Sequence, residues 1–150
     1  MATPTLWIGL GILGALAVLG ALLLLILHRV RASLRRRVQA RFPRESILLA
    51  GGANFFGRRS AGLAQLRGNG ALVLTRDLLW FAQAVPARDL EIPVASIRSV
   101  TTPRSFLGKT IFRPLLAVRF EAPEGEDEIG WAVPDVEKWR QALETARASR

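Results

Sequence analysis

The 150-residue chain has no cysteine, no tyrosine, one histidine and one methionine. Without cysteine there is no disulfide framework, no thiolate metal site and no thiol nucleophile, which fits a cytoplasmic domain. With no tyrosine and with His28 as the sole imidazole, the sequence shows no plausible nucleophile–base pair. An enzyme is not expected, and neither a metal ion nor a cofactor is implied. Lysine is nearly missing too: 19 of the 21 basic residues are arginine. That bias suggests a GC-rich, bacterial coding sequence. The most informative absence is charge between Leu6 and Leu27, where "LWIGLGILGALAVLGALLLLIL" holds neither sign.

Those residues make about 33 Å of helix at ~1.5 Å per residue. A bilayer core of ~30 Å needs about 20 apolar residues. The run has no polar face, unlike a helix lying on a soluble core. A cleaved signal peptide would carry a basic start, a shorter apolar core and a small-residue cleavage site. Here "MATPT" lacks Lys and Arg, and arginines follow the core. The run therefore reads as an uncleaved transmembrane helix at 6–27, with residues 1–5 as a short extracytoplasmic tail. His28, at the edge of the span, reads as a residue of the topology and not of chemistry.

Residues 28–44 carry seven arginines: Arg29, Arg31, Arg35, Arg36, Arg37, Arg41 and Arg44. Basic side chains close to a span stay on the cytoplasmic side. The expected arrangement is a single-pass protein of the cell membrane, N-terminus outside, with residues 45–150 as a cytoplasmic domain. The net charge of +9 is mostly local, because residues 45–150 hold 14 basic and 12 acidic side chains. A nucleic-acid binder would spread its basic surface over the folded domain, so no nucleic-acid partner is expected.

Within the basic juxtamembrane segment 28–44, Val30, Leu34, Val38 and Phe42 recur every four residues. They form one apolar stripe on a helix, which Pro43 ends. Two surfaces suit such a stripe. It can lie among anionic lipid headgroups with Arg29, Arg31, Arg35, Arg36, Arg37 and Arg41 as the membrane-surface contacts. It can instead continue out of the bilayer and dock on the domain. Because topology needs the charges but not the stripe, the headgroup arrangement is the expectation. In the span, Gly11, Gly14, Ala17 and Ala21 would also let two copies approach as a homo-oligomer.

Beyond Arg44 the pattern is of short strands separated by turns. "SILLAGGANFF" is an apolar run that Gly51 and Gly52 should bend. "GNGALVLT" and "LLWFAQ" flank a turn at "RD", "LEIPVASIRSVTT" carries Pro93, which marks an edge or a bend, and "LLAVRFEA" and "EIGWAV" flank "PEGED". Six or seven largely antiparallel strands result. "PDVEKWRQALETARAS" then reads as a helix with Val136, Trp139, Leu143 and Ala146 on one face. The expected class is mainly β: an N-terminal transmembrane helix, then an antiparallel sandwich or barrel of about seven strands closed by a C-terminal helix.

Three stretches, "GNGALVLTRDLLWF" (68–81), "LEIPVASIRSV" (90–100) and "WAVPDVEKWRQAL" (131–143), resemble the pleckstrin-homology (PH) superfold, in its GRAM-like and bacterial PH-like branch. The resemblance covers about 100 residues and implies a sheet-plus-helix scaffold for lipid, peptide or protein ligands. Phosphoinositide-binding members carry a lysine and spaced basic residues near the first hairpin. This chain offers only Arg58 and Arg59 there, with Arg67 further on and no lysine.

Other motifs carry less. "GKT" at 108–110 lacks the glycine of a P-loop, having Pro103 in its place, and is followed by a strand pattern. "GNG" at 68–70 opens no helix. Glu124, Glu126, Asp127 and Glu128 read as a solvated acidic turn without EF-hand spacing. The connection "TPRSFLGKTIFRP" sets apolar residues among cations, which suits a membrane or partner contact, or a loop tucked onto the core. Arg58, Arg59, Arg104, Phe106, Lys109 and Arg113 are the candidate contacts for a ligand or protein partner. The sequence thus describes a membrane-anchored PH/GRAM-like binding or scaffolding domain, with a protein adaptor lacking lipid recognition as the alternative and a membrane-tethered nucleic-acid binder as a remote third.

Overall fold

The computed structural model describes residues 4–62 and 65–149. Residues 1–3 of the expected tail, and Leu63 and Ala64 ahead of "GNGALVLT", lie outside the described residues. The first element, α1 (Pro4–Arg41), is a single helix of 38 residues, about 57 Å long at ~1.5 Å per residue. The uncharged run and the arginine-rich run are therefore one rigid rod. The portion Trp7–Arg41 is long and apolar enough to cross a membrane, and its most apolar window has nothing packed on it. The helix stops beside Pro43, and a single 3₁₀ turn at Arg44–Ser46 sends the chain into the sheet.

Among the described residues nine strands follow: β1 (Ile47–Arg58), β2 (Gly68–Thr75), β3 (Leu78–Gln83), β4 (Arg88–Pro93), β5 (Ile97–Thr101), β6 (Ser105–Phe106), β7 (Lys109–Thr110), β8 (Leu116–Ala122) and β9 (Gly125–Ala132). Seven form one antiparallel sheet in the order β4-β3-β2-β1-β9-β8-β5, while β6 and β7 make a separate ribbon. The last element is α2 (Val136–Ala148). This is the seven-stranded antiparallel sheet with one C-terminal helix that the sequence implied. The stretch 90–102 divides into two strands around a 3₁₀ turn at Val94–Ser96, so Pro93 closes an edge strand where its missing N–H leaves no ladder bond unmade.

The hub is β1. It pairs with β2 over Ile47–Phe55 and with β9 over Asn54–Arg58. Gly51 and Gly52 pair with β2 in regular register, and the bulge on the β9 side falls at Gly57. Its φ of 148° lies at the register shift between Phe55 and Gly57, and a Cβ there would meet Leu107 at 2.8 Å.

Strand alternation puts Phe55, Leu72, Leu74, Leu79, Phe81, Val118 and Trp131 into one buried cluster. The α2 face closes it, with Trp139, Leu143 and Ala146 all buried. Asp135 caps α2, its carboxylate accepting from the Lys138 N–H at 3.0 Å. A second cluster holds Phe56, Phe106, Leu115, Ala117 and Ala132. Phe106 thus tucks inward, which anchors the connection between β5 and β8 to the outside of the sheet.

Candidate functional site

Alternation leaves the opposite face of β2 and β3 with its own apolar residues: Val73, Trp80 and Ala82. All three are buried because Leu34 and Val38 of α1, and Phe42 just past its end, pack on them, together with Ile47 and Leu78. The stripe expected at the headgroups is therefore a docking face at these three positions. The reason is contact area. A flat apolar patch bearing Trp80 lies one turn of chain away, and burying each large side chain is worth roughly 1.5–3 kcal/mol.

The arginines divide along the same line. Arg37 donates to the Gln83 carbonyl at 2.9 Å and forms an ion pair with Asp89. Arg41 pairs with Glu91 at 2.6 Å, and its guanidinium lies 5.6 Å from the Phe42 ring and 5.5 Å from the Trp80 ring. These two, expected among the headgroup contacts, serve the helix–domain joint instead. Arg29, Arg31, Arg35 and Arg36 are exposed, and among the described residues they make no ion pair.

The contacts also orient the domain. Going back along α1 from Phe42 to Arg37, the partners go forward along β3 from Trp80 to Gln83. The β3–β4 turn beyond Gln83 therefore points toward the uncharged half of α1. Beside it lie Asn69, whose carbonyl accepts from the Ala84 N–H at 2.8 Å, and its register partner Asn54.

Arg58 and Arg59 are engaged at the end of β1. Arg58 pairs with Asp127, and Arg59 places Nε and Nη2 at 2.9 and 2.6 Å from Glu128 Oε2. Asp127 and Glu128 are 4% and 7% exposed. The solvated acidic turn is thus confined to Glu124 and Glu126, because β9 begins at Gly125 and carries the next two carboxylates into the sheet. Burial pushes the Asp127 carboxyl up. It is outweighed by the Ser60 hydroxyl at 2.6 Å, by Arg58, and by the Ser60 and Glu128 N–H groups at 3.0 and 2.8 Å, so the pKa lies below its ordinary value. A phosphate clamp at the first turn would have to break these pairs.

In the connection from β5 to β8, Lys109 Nζ donates to the Gln65 carbonyl at 3.0 Å, while Arg104 and Arg113 are exposed. Phe112 is 95% exposed with φ 60°, a left-handed conformation rare for an aromatic residue. Among the described residues no group of three His, Asp or Glu side chains is placed to hold a metal ion. Six expected contacts thus have three fates: Arg58 and Arg59 are paired, Phe106 and Lys109 hold the loop, and Arg104 and Arg113 face solvent.

No protein-family model matches the chain, and no curated protein matches it. Solved structures do. A C-terminal domain of an unknown protein from Leishmania infantum is similar at 14% identity and TM-score 0.53, covering 68% of this chain and 84% of that one. A chain of an 8S snRNP assembly intermediate is similar at 12% identity and TM-score 0.57, over 72% of this chain and 87% of that one. The linker-DH/PH domains of p115-RhoGEF superpose more loosely, at 16% identity and TM-score 0.47, and this chain spans 30% of that chain. The likeness to the first two is one of fold alone.

Proposed function

We propose that the chain is a single-pass protein of a bacterial cell membrane, whose cytoplasmic PH/GRAM-like domain is a binding or scaffolding module held at the inner face. The observation that carries this is the continuity of α1. One rod runs from the uncharged stretch into a docked joint sealed by Val38, Phe42, Arg37 and Arg41. A domain tethered by a loose linker would sample many orientations. A domain clamped to its own anchor presents one end to the bilayer. The four unpaired arginines above the joint support a cytoplasmic placement.

The test is topology. The full chain should remain in membranes after an alkaline carbonate wash. A C-terminal reporter active only in the cytoplasm should give signal, and one active only after export should be silent. Release by the wash, or signal from the exported reporter, overturns the reading. The adaptor reading draws on one observation of its own. Arg58 and Arg59 are already paired with Asp127 and Glu128, so a headgroup at the first turn would have to displace those carboxylates.

A further inference from the structure

Side-chain size falls sharply along the face that α1 covers. Near the joint that face carries Val73 and Trp80, and the helix is in contact. Ala50 lies beside Val73, and toward the uncharged half of α1 the same face carries Gly52 and Ala71 and then the polar pair Asn54 and Asn69, opposite Val30 and Leu34. The small residues leave an open-sided groove of about 770 Å³ between helix and sheet. Ligand sites typically span ~300–1,000 Å³.

Its charge is one-sided. Arg31, Arg35 and Arg44 of the α1 side and Arg113 of the β5–β8 connection line it, and no Asp or Glu does. Leu27, the last residue of the uncharged run, lines it as well. If that run spans the bilayer as proposed above, the groove opens where lipid headgroups begin. An occupant must then be apolar along its length, anionic at one end, and available from the leaflet.

We propose that the groove holds one anionic phospholipid, with an acyl chain along Val30, Leu34, Gly52 and Ala71 and its phosphate among Arg31, Arg35 and Arg113. The first turn of the sheet, where Arg58 and Arg59 are engaged, is not involved. Gly52 offers a direct probe. A Cβ built there meets nothing within 4 Å, and its φ is outside the left-handed region, so a larger side chain fills the groove without forcing the backbone.

The inference rests on the membrane reading, and one experiment separates the two. Full-length chain would be reconstituted in nanodiscs of phosphatidylcholine and phosphatidylglycerol in equal amounts, then examined by native mass spectrometry. One retained phospholipid per chain is expected, with phosphatidylglycerol favoured. Arg31→Gln, Arg35→Gln and Arg113→Gln should each reduce that preference by about fivefold. Gly52→Leu, and independently Ala71→Leu, should abolish retention at an unchanged melting temperature. The proposal is overturned if no lipid is retained, if both lipids are retained equally, or if both filled variants retain lipid like the wild type. A chain that stays in carbonate-washed membranes but retains no lipid sinks the groove alone. A chain released by the wash sinks the anchor and the groove together.

Discussion

Phe42, the residue that follows α1, meets Trp80 of β3 edge to face, with ring centroids 5.4 Å apart and planes at 67°. That contact joins the end of the long helix to the sheet, and with Leu34 and Val38 it covers the patch that bears Trp80. Edge-to-face aromatic pairs are worth about 0.5–1.5 kcal/mol beyond their area burial.

Phe42→Ala should therefore loosen the joint without unfolding the sheet, whose core lies on the other face. Phe42 is only half-buried, so about 2 kcal/mol is expected, below the ~3–5 kcal/mol of a fully buried phenylalanine. Limited trypsinolysis reports it. Arg37 and Arg41 should resist cleavage in the wild-type chain and become cut sites in the variant, while the fragment beyond Ile47 persists. Equal protection in both would mean that the stripe does not hold the helix.

The docked stripe shows where the sequence stops being legible. The span, the strand run and the Trp139 helix each follow from a local pattern: absence of charge, alternation, and 3.6-residue spacing. Val30, Leu34, Val38 and Phe42 are equally visible, but a four-residue apolar repeat among arginines suits a headgroup layer and a sheet face alike. Only the register of β2 and β3 shows that Val73 and Trp80 form a second apolar face needing cover. Asp127 and Glu128 were opaque for a related reason. An acidic run beside a glycine has turn composition, and nothing local says that Arg58, Arg59 and Ser60 will meet it across the sheet. The groove could have been suspected from Ala50, Gly52 and Ala71, all small at face-matched positions, but only once the pairing of β1 with β2 was known.

Trp139→Ala should be the most damaging substitution in α2. Its indole is 3% exposed and approaches Gly51 closely enough that a Cβ there would lie 3.6 Å away. Truncation of such a core aromatic costs about 3–5 kcal/mol, a large share of the ~5–15 kcal/mol of a typical domain. Chemical denaturation of the full chain in detergent measures it. A midpoint matching the wild type would show α2 to be dispensable for closure.

Asp127 gives a pH dependence with a definite sign. Its folded-state pKa lies below the ordinary carboxylate value of ~3.9, so the unfolded chain takes up the proton first on acidification. The stabilisation it contributes is fully present above that value and is lost as pH falls through the lower, folded pKa. In Asp127→Asn the amide cannot serve all of Arg58, Ser60 and the two N–H groups as acceptor. The variant should lose about 2–3 kcal/mol at pH 7. It should also show a shallower fall in stability below pH 4, and acid titrations followed by circular dichroism should converge for the two proteins. Parallel curves, offset by the same amount at every pH, would contradict the assignment.

The arginine block should separate into two functions that can be removed independently. Arg37 and Arg41 are committed to Asp89, Glu91 and the Gln83 carbonyl. Arg29, Arg31, Arg35 and Arg36 have no such partners among the described residues. Both joint pairs are partly exposed, so each ion pair is worth only about 0.2–1 kcal/mol. Their loss should show as loosening, not collapse. Arg37→Gln with Arg41→Gln should expose the joint to trypsin at Arg44 while the C-terminal reporter keeps its cytoplasmic signal. Arg29→Gln, Arg31→Gln, Arg35→Gln and Arg36→Gln together should leave the joint protected and stability within about 0.5 kcal/mol. They should also shift part of the population to the inverted orientation, because the bias that sets topology is counted close to the span. Exchanging the charges, Arg37→Asp with Asp89→Arg, should restore protection if the pair matters as a pair. If the four-residue variant loosens the joint, or the Arg37 and Arg41 variant inverts the chain, the block acts as one undivided charge cluster and the two-function reading fails.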